Sequence, residues 1–231
     1  MEYNTEEQQL KAIKEWWNEN GTSIIVGVVI AVGGFFGYNW YKEQQMVTKQ
    51  EASTAYEAFT DIDFKAKKDD FIAAGESIKS QYPGTGYSTL AALHIAKQLA
   101  ESGDLEGAQK QLEWAESNTK GTEVQPLMSI RLARVLLARG EIDTAFAKVN
   151  AIQTSAYNGL KQRLLGDIYL QKGDKVAAKA AYELAKEATE SYTAKTELDM
   201  LINDLSVADS QTSAPQATPE AETKNADKQG S

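Results

Sequence analysis

Residues 165–185 read LGDIYLQKGDKVAAKAAYELA, and this stretch decides the fold. It holds two segments rich in Ala, Leu and Lys, which favour helix, on either side of Gly173-Asp174. Glycine accepts the left-handed conformation that ends many helices, and an acidic residue after it favours the start of the next helix. The stretch therefore predicts two helices joined by a tight turn.

The same turn occurs twice more, as Gly103-Asp104 and Gly140-Glu141, at spacings of 37 and 33 residues. These spacings are typical of tetratricopeptide-type helix pairs. Alignment on the three glycines matches five further columns of small or apolar residues: Ala96, Ala133 and Gly166; Leu99, Leu136 and Tyr169; Ala108, Ala145 and Ala178; Leu112, Val149 and Tyr182; Ala115, Ile152 and Ala185. The alternative is an irregular helical bundle whose alanine-rich helices imitate a repeat.

Further helices are predicted on both sides of these three units. A degenerate unit over residues 45–83 has helices near 49–59 and 69–82, with Asp69-Asp70 in place of the Gly-Asp turn. A last helix near 192–205 caps the array, as repeat proteins require. The predicted fold class is therefore all-α, with a helical repeat domain over residues 42–206.

A membrane segment precedes the repeats. Asn20–Tyr41 are 22 consecutive uncharged residues, about 33 Å of helix, which is enough to cross a bilayer core of about 30 Å. Trp16, Trp17 and Trp40 flank the run, as interfacial anchors do. The alternatives are a buried core helix and a cleaved signal peptide. The acidic residues before the run and the lack of a small-x-small cleavage site after it favour an uncleaved anchor over residues 20–41.

Small residues lie on two faces of this anchor. Gly27, Ala31 and Gly34 share one face, and Gly33 and Gly37 form a GxxxG on another. Either face could pack closely against a second membrane helix, although glycines are common in such helices without a partner. Lysines near the anchor balance on its two sides, so charge alone does not predict the orientation of the 1–19 segment.

The C-terminal residues 207–231 change in composition, with two prolines and few large apolar residues. Such a segment cannot bury enough apolar surface to offset its conformational entropy, so the sequence predicts a disordered tail.

Composition excludes several classes of function. The 24 Lys and Arg against 33 Asp and Glu give a net charge of −9, which makes nucleic acid an unsuitable partner. There is no cysteine and one histidine, His94, which removes the usual zinc sites and Cys nucleophiles. We find no nucleotide loop, catalytic motif or cofactor site, and interpret His94 as a packing or surface residue. The sequence predicts a protein that is not an enzyme.

A binding surface is predicted instead, on the concave side of the array. Leu90, Leu127 and Leu160 occupy the second position of successive first helices, and Leu137 and Leu170 occupy the twelfth. An apolar stripe of this kind, bordered by basic residues, indicates a partner-binding groove. The alternative is that another helix of the same molecule fills it. The predicted groove residues are Leu90, Leu93, Lys97, Leu127, Ile130, Arg134, Leu137, Leu160, Arg163 and Leu170.

Several local strings resemble the YfgM family, the ancillary subunit of the bacterial SecYEG translocon. They cover about residues 1–207: Trp16-Trp17-Asn18-Glu19-Asn20-Gly21, VGVVIAVGGFFGYNWY at 26–41, GYSTLAALHIAKQLAESGDLEGA at 86–108, IRLARVLL at 130–137, LLGDIYLQKGDKVAA at 164–178 and MLINDLS at 200–206. The tail after Ser206 extends beyond the family's usual end.

The resemblance implies a single-pass inner-membrane protein with a cytoplasmic N-terminus and a periplasmic repeat domain. It also implies association with SecYEG and with the periplasmic chaperone PpiD, and assistance to unfolded or newly translocated polypeptides, with membrane lipid as a further contact. It implies no catalytic residue. A passive scaffold for envelope assembly, without client contact, is the alternative function.

Overall fold

The computed structural model describes the backbone of residues 6–212 and the side chains of residues 8–206. The described residues form helices and turns without a strand, which confirms the all-α prediction. The described residues divide into two compact units, on either side of the boundary between Gln98 and Leu99. The helices are α1 (Glu6–Thr60), α2 (Lys68–Gln81), α3 (Gly86–Glu101), α4 (Leu105–Asn118), α5 (Gln125–Ala138), α6 (Ile142–Asn150), α7 (Asn158–Gln171), α8 (Lys175–Glu187) and α9 (Tyr192–Thr212).

Helix α1 is a single uninterrupted helix of 55 residues. It contains an apolar window long enough to cross a membrane, and only 6% of that window is buried within the chain. The predicted anchor at 20–41 and the predicted helix near 49–59 are therefore parts of one helix. No turn separates the apolar run from Ala52 and Phe59, which are fully buried.

The first unit is held together by aromatic packing between α1, α2 and α3. Phe59 of α1 packs against Phe71 of α2, with ring centroids 4.4 Å apart and ring planes tilted by 39°. His94 of α3 meets both rings edge-on, at 5.4 and 5.3 Å, so its interpretation as a packing residue is confirmed. Asp69 and Asp70 lie in the first turn of α2, as expected, where their charge favours the helix N-terminus.

The three predicted turns share one geometry in the second unit. Gly103, Gly140 and Gly173 have φ of 87°, 82° and 82°, a conformation that costs any residue with a Cβ. The amide of the residue after each glycine donates to a carbonyl five residues earlier, and the glycine amide donates to a carbonyl three residues earlier. Each turn is thus a Schellman motif, the helix ending that a C′ glycine permits.

The aligned columns of the repeat form the core of the structure. Ala108, Ala145 and Ala178 are fully buried, which lets each second helix lie close to its first. The larger members of the later column, Leu112, Val149 and Tyr182, are at most 4% exposed. The structure therefore agrees with the repeat interpretation and not with an irregular bundle.

Helix α9 closes the second unit. Leu198 and Leu205 of α9 join a buried cluster with Ala178, Tyr182 and Ala185 of α8. The helix begins at Tyr192, as predicted, but continues to Thr212, beyond the expected start of the tail at 207. The remaining tail prediction, for 213–231, lies outside the described residues.

Candidate partner-binding surface

The three predicted groove residues of the first unit lie on α3. Leu90 is 45% exposed, Lys97 is also exposed and Leu93 is half-buried. Leu90 is thus available to a partner, whereas Leu93 offers only part of its surface.

Helix α5 contributes less surface than the sequence predicts. Ile130 is 1% exposed and Leu137 is 9% exposed, so the prediction that these two side chains line an open groove is wrong. The reason is that α5 packs against α4, α6 and α7, which cover most of its circumference. Leu127 is half-buried, and Arg134 is the exposed member of the set on α5.

Helix α7 presents the most accessible apolar residues of the predicted groove in the second unit. Leu160 is 42% exposed and Leu170 is 40% exposed. Arg163, one turn after Leu160, is half-buried and pairs with Glu197 of α9, with Nη1 2.8 Å from Oε2. The ion pair links the capping helix to α7 while both leucines remain exposed.

A pocket lies beside these residues, and we call it the α7–α9 pocket. Leu160 and Arg163 line it, together with Ala185 and Ala188 near the end of α8 and Ala194 and Leu198 of α9. Its volume is ≈ 180 Å³. The structure therefore brings two of the predicted residues together at one pocket, with walls that are mostly carbon.

A polar cluster that the sequence reasoning missed adjoins this surface. Asp167 is half-buried on α7 and accepts a hydrogen bond from the Tyr182 hydroxyl, with Oη 2.8 Å from Oδ1. Arg134 and Arg163 act on the same carboxylate through longer-range attraction. Two features of the sequence could have indicated this cluster. Asp167 lies in the middle of an apolar helix, and Tyr182 occupies a repeat column that otherwise holds Leu112 and Val149.

Burial controls the electrostatics of this cluster. It raises the pKa of Asp167, while the hydrogen bond from Tyr182 and the charges of Arg163 and Arg134 act in the opposite direction. Burial, followed by the bond to Asp167, also raises the pKa of Tyr182 far above its ordinary value. Desolvation lowers the pKa of Arg134, opposed by Asp167. Asp167 and Tyr182 are therefore partly removed from water, and charge pairing is stronger in such a site than at an open surface.

The capping helix does not fill this part of the predicted groove. Helix α9 packs its buried residues on α8, and Leu160 and Leu170 stay about two-fifths exposed. Among the described residues of the second unit, α9 therefore pairs with Arg163 and leaves both leucines accessible.

The small-residue faces of α1 are open in the structure. A Cβ placed on Gly27, Gly33, Gly34 or Gly37 would meet nothing within 4 Å. Their use in packing against a second membrane helix, together with Ala31, stays a prediction. Among the described residues, no group of three or more His, Cys, Asp or Glu side chains could hold a metal ion.

Comparison with known proteins extends over almost the whole chain. The tetratricopeptide repeat-like domain family matches residues 14–207. Proteins named "Ancillary SecYEG translocon subunit" are similar to the chain: 32% identical in Haemophilus influenzae, covering 85% of this chain and 97% of that protein; 38% identical in Aggregatibacter actinomycetemcomitans, covering 79% and 89%; and 30% identical in Escherichia coli K12, covering 89% and 98%. No solved structure matches the chain.

The repeat turns, the buried columns and the long apolar helix all fall within the matched region. The extent of the match covers nearly the full length of two of these relatives. The chain belongs to the family of ancillary SecYEG translocon subunits, with a tetratricopeptide repeat-like domain.

Proposed function

We propose that this protein is a membrane-anchored accessory subunit of the SecYEG translocon that binds polypeptides through its repeat domain. Residues 20–41 cross the inner membrane, residues 1–19 lie in the cytoplasm and residues 42–206 lie in the periplasm. In that position the domain assists newly translocated proteins together with PpiD. The names of the relatives support the translocon association.

The observation that carries this proposal is the continuity of α1. Its apolar part leaves Ile25, Val29 and Phe36 more than half exposed, as a lipid-facing helix does, and the same helix ends in the aromatic packing around Phe59. The repeat domain is therefore fastened directly to the anchor. Tethering at short range raises local concentration to the order of millimolar, so weak contacts with emerging chains suffice.

The exposed leucines supply the contact surface. Leu160 and Leu170 keep about two-fifths of their area in water, whereas Leu137, which occupies the position of Leu170 on α5, is 9% exposed. Exposed apolar positions beside a pocket are typical of peptide-binding surfaces. We therefore assign client and partner binding to the side of α7 that carries Leu160, and extend it to Leu127 and Leu90 on their own helices.

Photocrosslinking in cells tests the assignment. A photoreactive residue at Leu160 is expected to capture short-lived nascent chains and PpiD, whereas the same residue at Val176, which is 79% exposed on α8, captures neither. Pulldown in mild detergent is expected to recover channel subunits and PpiD. Absence of both from the pulldown would contradict the proposal.

A passive scaffold for envelope assembly is the competing function. It predicts one permanent crosslinked partner at Leu160 that persists when translation is stopped, while nascent-chain adducts disappear within minutes. Orientation is tested separately by protease digestion of intact spheroplasts. Degradation of the repeat domain from outside supports a periplasmic location, and full protection contradicts it.

A further inference from the structure

We propose that the outer face of α8 binds the same face of a second copy of this chain, with the two helices antiparallel. The face is formed by Val176, Ala180 and Leu184, which we call the α8 ridge. The contact centres on Ala180 of both copies. It uses a different helix from the polypeptide-binding surface assigned to α7 and does not rest on the proposed function.

The α8 ridge is apolar and open. Ala178 and Tyr182 of the same helix are buried, whereas Val176 is 79% exposed, Leu184 is 49% exposed and Ala180 is also exposed. The three ridge residues are four positions apart, so they form one continuous row on the helix surface. Among the described residues, α8 packs against α7 and α9, and neither helix covers this row.

The repeat fold does not require an apolar ridge, because other second helices carry charges at the same positions. Counted from the turn glycine, Val176 corresponds to Glu106 of α4 and Asp143 of α6, both exposed. Glu106 pairs with Lys110, the counterpart of Ala180. Among the three aligned second helices, α8 is therefore the one with a large apolar residue where the others meet water with charge. Such a departure indicates a contact surface.

The charges beside the ridge are complementary under twofold symmetry. Successive residues of a helix are about 100° apart, so Lys179 and Glu183 lie on the same side of the ridge, with the lysine nearer the N-terminus of α8. A twofold axis through Ala180 reverses the helix direction but keeps this side facing itself. Lys179 of each copy therefore lies beside Glu183 of the other, and the pair forms twice. A contact between identical surfaces must be self-complementary in this way.

The sizes of the ridge residues also suit this contact. Rows of residues four apart interdigitate when two helices cross at about 50°, and the side chains at the crossing set the distance between the helices. Ala180 at the crossing allows a close approach. Val176 of each copy then meets Leu184 of the other, which removes exposed apolar surface of both residues from water.

The contact is small and depends on the membrane anchor. One helix face buries less than the roughly 1,200 Å² of a stable complex, and the net charge of −9 opposes association at long range. Helix α8 itself carries three lysines and two glutamates, so this acidity lies elsewhere. The apolar window of α1 holds copies in one bilayer, where their local concentration allows a weak contact to form.

The test exploits the absence of cysteine from the chain. Full-length single-cysteine variants in membrane vesicles are oxidised with copper phenanthroline, and non-reducing gels measure the linked dimer. Ala180→Cys is expected to form a disulfide, because the twofold axis brings position 180 of both copies together. Ala147→Cys, the same change at the corresponding exposed position of α6, is the control and should not. Val176→Cys and Leu184→Cys should link to each other more than either links to itself.

Charge reversal in the Ala180→Cys background tests the pairing. Lys179→Glu and Glu183→Lys each place like charges opposite one another twice, and each is expected to lower the disulfide yield at least about fivefold. Copies of the two variants with different tags, expressed together, restore opposite charges at both pairs. Their mixed dimer should therefore form as well as that of the parent. An effect confined to one molecule would not be rescued by a second copy.

An apolar variant connects the association to the ridge. Leu184→Asp in the same background is expected to abolish the disulfide, whereas Val124→Asp, at a 43% exposed residue before α5, should leave it unchanged. Thermal melting by circular dichroism confirms that each variant is folded.

Equal disulfide yields from Ala180→Cys and Ala147→Cys, or a mixed charge-reversed dimer no better than either variant alone, would overturn the inference. A photoreactive residue at Leu184 that captures lipid or a different protein in place of a second copy would also overturn it. So would an increased disulfide yield on removal of residues 213–231, which would identify that segment as the occupant of the ridge.

Discussion

The ring of Tyr182 lies directly against the backbone of Gly166, so closely that a Cβ on Gly166 would overlap its Cε1. Tyr182 is 1% exposed, and its hydroxyl is held by Asp167. The ring is therefore buried and held at its hydroxyl end. This contact sets the separation of α7 and α8, the helices that support the candidate surface.

Gly166→Ala is expected to lower the free energy of unfolding by about 1–3 kcal/mol, because an added methyl group must displace a confined ring. Chemical denaturation of the full chain in mild detergent, followed by circular dichroism, measures the change. The matched control is Gly159→Ala on the same helix, where the nearest atom to the added Cβ is 3.4 Å away. It is expected to stay within about 1 kcal/mol of wild type. Equal stability of the two variants would contradict the close packing.

The titration of Asp167 makes stability depend on pH. Burial raises its folded-state pKa above the ordinary value of 3.8, so the folded chain binds more protons than the unfolded chain between the two values. Stability from this group is therefore present below pH 3.8 and is lost as pH rises through the raised pKa.

Asp167→Asn is expected to remove the loss of stability that accompanies rising pH. The free energy of unfolding of wild type and of Asp167→Asn is measured at intervals from about pH 3.5 to 7. Wild type should become less stable relative to Asp167→Asn as pH rises. Tyr182→Phe should extend the loss to higher pH, since it removes the hydrogen bond that lowers the pKa of Asp167. A difference that does not change with pH would show that Asp167 titrates normally.

The acidic residues after the turn glycines differ in what they do. Asp104 and Asp174 cap their helices, each accepting from an amide three residues later at 2.9 Å. Glu141 makes no such bond, because its longer side chain pairs with Arg139 instead. Asp174→Ala is expected to lower the free energy of unfolding by about 0.5–2 kcal/mol. Glu141→Ala is the control and should cost less, since an exposed ion pair contributes at most about 1 kcal/mol. The reverse order would refute the capping assignment.

A charge in the apolar part of α1 should prevent stable membrane integration. Ile30 is 70% exposed near the middle of the apolar run, where an arginine costs about 2.5–3.5 kcal/mol for insertion. Ile30→Arg is expected to increase release from vesicles in alkaline carbonate. Met46→Arg places the same charge at a 69% exposed position beyond the run and should remain membrane-bound. Release of both variants, or of neither, would argue against a single span around Ile30.

The repeat turns and the core were predictable because each requires a particular residue type: glycine where φ is positive, and alanine where two helices lie close together. Gly173 is needed where φ is 82°, and alanines such as Ala178 are needed where two helices touch. These requirements repeat with the unit, so alignment on the glycines locates the buried columns. The start of α9 at Tyr192 agrees with the capping helix predicted near 192–205.

The surface was harder to predict because exposure depends on how many neighbours a helix has. Leu137 on α5 and Leu170 on α7 occupy the same position of the repeat, yet one is 9% and the other 40% exposed. Helix α5 is packed by helices on several sides, and the sequence of one helix does not contain that information. The contact of Tyr182 with Asp167 likewise joins positions 15 residues apart on different helices, which periodicity alone does not pair.

The unbroken path of α1 gives the protein a mechanical property. About ten residues, some 15 Å of helix, separate the end of the apolar run from the packed residues Ala52 and Phe59. A TM helix tilts to match the thickness of its bilayer. Because no turn interrupts α1, such a tilt also moves Phe59, which packs on Phe71. A change in the tilt of α1 within the bilayer would therefore reorient the buried rings of the first unit together with the helix.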